Sequence, residues 1–186
     1  MDATEFVEVA HTADFSLVGH ILAFYDGSSG TVYKQTNDLS SVLGLTNAID
    51  GFVFASFTVY EPLNPVIDTN GGIALIGPGN TVLDFISYGI QITATDGPAA
   101  GSTSTLIGQT EDANGPLQNS LQLGGSGSLV TDFTWQPSQL ATPASVNTGQ
   151  QIVCPQARSG ALGVESKRTV DELVKHAQAV RVVPNN

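Results

Sequence analysis

His11, His20 and His176, with the lone Cys154, are the residues from which a nucleophilic or soft-metal site would have to be built. Hydrolysis by a nucleophile needs Ser or Cys beside a His base and an orienting acid, all within hydrogen-bond reach. The three histidines lie far apart in the chain and in unlike contexts: a loop, the start of a strand pattern and the C-terminal stretch. The Ser-rich run 124–128, GGSGS, lacks the G-x-S-x-G order of a nucleophile elbow. Nor do one Cys and three scattered His make a zinc set, which needs ligands at close spacing. The sequence therefore predicts no catalytic residue.

Hard cations ask for several oxygens on one loop. Asp68 with Asn70, and Asp96 with Glu111 and Asp112, are the calcium candidates, although no EF-hand pattern is present. The same residue types also cap turns through bonds to the local backbone, and that is the favoured reading. Trp135 and Phe133 share one side of a strand pattern and would suit a sugar-stacking face if exposed. A single Trp in an apolar strand goes more often into the core. Cys154 has no partner for an intramolecular disulfide and reads as a small, partly buried residue.

These side chains need a frame, and composition points to β-structure. Apolar residues make up 41% of the 186 and charged residues only 12%, so the surface must be polar through hydroxyls and amides, with 20 Gly for turns. The net charge of −11 is uneven. Residues 1–157 hold fourteen acids against Lys34, giving −13, whereas 158–186 hold five bases against three acids, giving +2. An acidic body repels phosphate, which argues against direct nucleic-acid binding and against docking on an anionic membrane. Basic partners or cations suit it better, although solubility alone is the favoured account of the charge. The longest apolar run, 51–60, is too short to span a membrane as a helix. Met1-Asp2-Ala3-Thr4-Glu5 leads straight into a strand pattern, so a secreted form would have lost its signal before this start.

Along the chain, EFVEV (5–9) is a short β-run. HILAFY (20–25), the turn Asp26-Gly27-Ser28-Ser29-Gly30 and TVYKQ (31–35) form a hairpin pattern. Gly51–Tyr60 is apolar on both alternations, as in a strand buried on two sides, and Pro62 and Pro65 follow it. GIALIG (72–77) and TVLDFISYG (81–89) flank Gly77-Pro78-Gly79-Asn80, the best-defined hairpin in the chain. Residues 39–45 fit a loop or a helical turn. The Gly/Ser/Thr-rich segment 96–116 must be functional or held down by its own packing. Strands resume at 120–125 and 132–137, and the β-domain closes near Val153, giving a domain over 1–153 and a linker with tail over 154–186.

In the tail, Thr169 and Glu172 have capping-box spacing, and Val170, Leu173, Val174, Ala177 and Val180 recur at helical intervals. The spacing predicts an amphipathic helix over 170–182. Its apolar stripe is the predicted partner-binding surface, docking on its own domain or on a second copy to make a homo-oligomer.

EFVEV near the start, GGIALIGPGNTVLDFISYG in the middle and DFTWQPSQLATPASVNTGQ at the close occur in an order and spacing that resembles the lamin tail domain of bacterial secreted proteins. Glu8 matches the acid of that family's opening strand. Asp14-Phe15-Ser16 resembles its Asp-Leu-Ser, and Thr142-Pro143-Ala144-Ser145-Val146-Asn147 resembles its closing Thr-Pro-Gly-Ala-Val-Asn. The family's Gly-Trp after Asp-Leu-Ser is replaced by Leu17-Val18-Gly19-His20, and residues 158–186 have no counterpart.

The resemblance spans residues 5–150 and implies an all-β, immunoglobulin-like β-sandwich. It implies an extracellular, non-catalytic binding or adaptor module, with a protein as partner and no cofactor. Two alternatives stand beside it: a self-assembling shell, filament or surface layer, and an accessory domain of an extracellular nuclease or phosphatase.

Overall fold

The computed structural model describes residues 5–42, 45–49, 51–59, 70–110, 116, 118–153 and 176–181. The strands are β1 (Glu5–Thr12), β2 (Ile21–Asp26), β3 (Val32–Gln35), β4 (Leu45–Ile49), β5 (Phe52–Val59), β6 (Gly71–Gly77), β7 (Thr81–Tyr88), β8 (Thr105–Leu106), β9 (Asn119–Gly127), β10 (Phe133–Leu140), β11 (Gln150–Ile152) and β12 (His176–Arg181). They form two sheets. The larger runs β10-β9-β12-β1-β5-β4, with β11 also on β9, and the smaller runs β3-β2-β6-β7-β8. The all-β expectation holds.

The turns form where local chemistry demands them. In the β2–β3 hairpin, Asp26 Oδ1 accepts the backbone N–H of Ser28 and Ser29 and both hydroxyls, at 2.6 to 3.0 Å. Those bonds hold the carboxyl below the usual range, the Ser28 bond most of all. Between β6 and β7, Pro78 sets the turn and Gly79 (φ 71) and Asn80 (φ 59) take the left-handed conformation, which side chains other than Gly and Asn resist.

The two sheets face each other across one core. Val7 and Val9 of β1, Ala55 and Phe57 of β5 and Leu121 of β9 meet Leu22, Phe24, Ile73, Leu75, Ile86 and Tyr88 of the smaller sheet. Strand alternation sends the intervening residues outward, yet many of these are buried as well. Tyr25, Ala23, Ala74, Ile76 and Phe85 lie beneath Ile92, Ala94 and Ala99 of the irregular segment after β7. Ala10, Phe52 and Phe54 lie beneath Val146 and Ile152. Strands covered on both faces read as continuous apolar runs rather than alternating ones. That explains β6, buried at all seven positions, and the double-faced run in β5.

The described part of this segment is thus held down by packing, one of the two expectations for 96–116, of which 111–115 lie outside the described residues. It is pinned by Tyr25, whose hydroxyl accepts the Ala99 N–H at 2.9 Å. Ser104 joins it to β7, donating to Ser87 Oγ at 2.7 Å and accepting the Ile92 N–H at 2.9 Å.

The expected tail helix needs correction. Over 176–181 the chain is a strand, antiparallel to both β1 and β9 and lying between them. The remainder of 170–182 lies outside the described residues. Helical spacing is a local signal, whereas a place between two strands gives the segment ladder partners, with β1 from Phe6 to Ala10 and with β9 at Leu121 and Gln122. At the sheet's own edge, β10 carries Pro137, which has no N–H to offer a further strand.

Candidate functional site

The outer face of the larger sheet holds the most unusual group in the molecule. Alternation along β1 places Phe6, Glu8 and Ala10 on this face, and register sets Glu8 opposite Ser56 and Ala10 opposite Phe54. Glu8 is fully buried. Its Oε2 accepts the Ala144 N–H at 2.6 Å, while Oε1 has no hydrogen-bond partner among the described residues. Burial raises its pKa from 4.5 to about 7, against the lowering pull of the Ala144 and Ser145 amides. Ala144 itself sits at φ 56, a left-handed conformation uncommon for a residue with a side chain.

Neighbouring polar groups continue this seam. Gln122, also fully buried, donates from Nε2 to Ser120 Oγ and to the Leu140 carbonyl, both at 2.8 Å, and its Oε1 accepts the Thr148 N–H at 3.2 Å. Asn147 donates to the Leu123 carbonyl at 3.2 Å, and Gln150 Oε1 accepts the Asn147 N–H at 3.2 Å. The seam clamps the segment 141–150 onto β1 and β9. It is sealed from solvent, and its chemistry is that of a structural clasp with one proton near neutrality.

A second cluster lies where β1 turns toward β2. His11 and His20 flank Phe15, with ring centroids 5.7 and 5.0 Å from it. Both are buried, and their Nδ1 atoms face the backbone carbonyls of Thr12 (2.8 Å) and Val18 (3.1 Å). Burial holds His11 below the usual range, the Thr12 carbonyl opposes this, and the charge of His20 adds to the lowering. Asp38 fixes the turn by accepting the Gly19 N–H at 2.7 Å and the Ser40 hydroxyl at 2.7 Å. Separation in sequence thus misleads for two of the three histidines. The turn over 13–20 folds back through the Phe15 N–H to Thr12 O and His20 N–H to Leu17 O bonds, and so brings them together. His176 opens β12, in register with Ala10.

The calcium candidates divide. Asp96 Oδ1 accepts the Val32 N–H at 2.6 Å, a structural use, and Asn70 stands exposed just before β6. Asp68, Glu111 and Asp112 lie outside the described residues. Among the described residues no three His, Cys, Asp or Glu side chains cluster as a metal site. Of the predicted partner-binding residues, Val170, Leu173 and Val174 lie outside the described residues. Ala177 pairs with Val9, and Val180 lies between Val7 and Leu121. Trp135 is half-buried and packs against the inter-sheet core.

Sequence reasoning singled out Glu8 only through the family motif and missed its partner. A signal was available: an acid at the centre of Phe6-Val7-Glu8-Val9-Ala10, where both alternations are otherwise apolar. No protein-family model, curated protein or solved structure matches the chain.

Proposed function

We propose that this chain is a non-catalytic, extracellular binding module of lamin-tail type, with an immunoglobulin-like sandwich as its frame. One observation carries the reading: two of the motifs on which the resemblance rests, Glu8 in β1 and Thr142–Asn147 at the close, meet in space through the Ala144 N–H bond to Glu8. Motifs that share one contact form a single structural unit, which is how a family pattern is expected to behave.

The test is an assay of the purified chain on phosphomonoester, phosphodiester, ester and glycoside substrates. No turnover is expected. Activity that copurifies with the protein and disappears in His20→Ala or Glu8→Gln would overturn the proposal.

A second reading, a self-assembling structural protein, is favoured by the position of β12, a segment distant in sequence from β9 and β1 that completes the sheet between them.

A further inference from the structure

We infer that β12 is an exchangeable strand, and that the slot between β1 and β9 accepts the same strand from a second copy of this chain. The inference goes beyond the binding-module reading and names a second copy of the chain as the partner.

Among the described residues β1 and β9 do not pair with each other, and β12 is what joins them in the larger sheet. An empty slot would leave two rows of backbone N–H and C=O groups without partners, so it must recruit a strand. Register specifies what fits. One position lies between Val7 and Leu121, both buried in the core, and the next lies between Glu8 and Gln122 of the polar seam. Val180 and Ala179 occupy these positions, an apolar residue followed by a small one. A second copy carries the identical segment, so the contacts in trans equal those in cis.

The ladders that hold β12 are weak at two points. Among the described residues it pairs with β9 only through Ala179 and Val180, and its register with β1 breaks between Glu8 and Val9, beside the carboxylate whose Oε1 has no described partner. β6 is fully buried and has longer ladders, with β2 over Gly71–Ile76 and with β7 over Gly71–Gly77, the latter with one register shift between Leu75 and Ile76.

Reach is sufficient. Residues 153–175 join β11 to β12, and a chain of that length extends up to about 75 Å. A domain of this size has a radius of gyration of only about 16 Å. Charge favours delivery as well, since 158–186 carries +2 and 1–157 carries −13. The tether holds the chain's own strand at an effective concentration on the order of 1 mM. Cis pairing therefore dominates in dilute solution, and exchange grows as the protein concentration approaches that value.

The test uses the full chain with Val7→Cys and Val180→Cys, directly opposed in the ladder, in a Cys154→Ser background. Samples mixed with isotopically heavy copies are equilibrated at about 10 µM and about 1 mM, the second matching the tether's effective concentration, then oxidised and read by non-reducing gel and mass spectrometry. Expected is an intramolecular crosslink at the low concentration, with mixed-isotope Val7–Val180 crosslinks rising at least several-fold at the high one. Intramolecular crosslinks alone at both concentrations would overturn the exchange. Folded protein with neither crosslink would overturn the placement of β12 on which it depends.

Amide hydrogen exchange of the unaltered chain runs in parallel and does not depend on the variant folding. The amides of β12 are expected to exchange faster than those of β6, and equal protection would overturn the proposal. Turnover in the hydrolase assays would sink the binding-module reading without altering either readout, so the two failures are distinguishable.

Discussion

Glu8 and Ala144, 136 positions apart in the chain, are joined by a 2.6 Å bond in which the Ala144 N–H donates to Glu8 Oε2. The bond ties the first strand to the segment that covers its outer face. It also leaves a buried carboxyl whose pKa lies at about 7 instead of 4.5.

A pH dependence follows, with its sign fixed by that shift. The folded chain holds the proton more tightly than the unfolded chain does. The stabilising contribution is therefore fully present below about pH 4.5, shrinks between 4.5 and 7, and is lost above about 7. Its full size is about 3 kcal/mol. Glu8→Gln keeps an oxygen for Ala144 and does not titrate, so its stability relative to the parent's is expected to rise from pH 4.5 to about 7 and to level off above that. His11, with its lowered pKa, contributes an opposite slope on the acid side, but does so in both proteins and cancels in the difference. Urea unfolding at pH 4.5, 6 and 8 measures this, and parallel curves for the two proteins would refute it.

Tyr25→Phe removes the oxygen that accepts the Ala99 N–H and leaves the ring in place. A buried amide without a partner costs about 1–3 kcal/mol. The urea midpoint should fall with the slope unchanged, and limited proteolysis should now cut between 92 and 104. A midpoint identical to the parent's would show that the hydroxyl pins nothing.

Gly30 and Gly101 both take positive φ, 70 and 82, but their surroundings differ. A Cβ on Gly30 would collide with the Thr93 carbonyl oxygen, whereas one on Gly101 would meet open space. Gly101→Ala then bears conformational strain alone, about 1 kcal/mol, and Gly30→Ala is expected to lose about 2 kcal/mol or more. Thermal melts of the pair decide the matter, with equal losses counting against the close approach of Gly30 to the segment above it.

Trp135 is the sole Trp, and it packs against the inter-sheet core. Its fluorescence should shift to longer wavelength on unfolding with the same midpoint as the circular dichroism of the strands. Titration with mono- and oligosaccharides should leave the emission unchanged. A saturable, saccharide-dependent change would restore the stacking role that packing argues against.

What the sequence discloses about this fold depends on how far each signal travels along the chain. The β6–β7 hairpin is legible because Gly77-Pro78-Gly79-Asn80 dictates its turn locally, and the β2–β3 hairpin because Asp26 caps its own turn. Burial of β5 on two sides is legible from Phe52, Phe54 and Phe57 falling on opposite alternations. The strand at 176–181 is not. Its hydrophobic spacing fits a helix, and what overrides that spacing is a slot between strands more than fifty and more than a hundred and sixty residues away. The seam is hidden for the same reason, since Gln122, Asn147 and Gln150 look like surface amides until the cover is folded over them.

The antiparallel pairing of Phe6 with Arg181 sets the chain's first and last described strands side by side, with residues 5 and 181 at the same end. Tension applied between those two positions would part the β1–β12 ladder rung by rung, as a zipper opens, instead of shearing all its bonds together. The molecule is accordingly soft when pulled by these ends. Strain in a linked array would spend itself on this one seam before reaching the layers behind it.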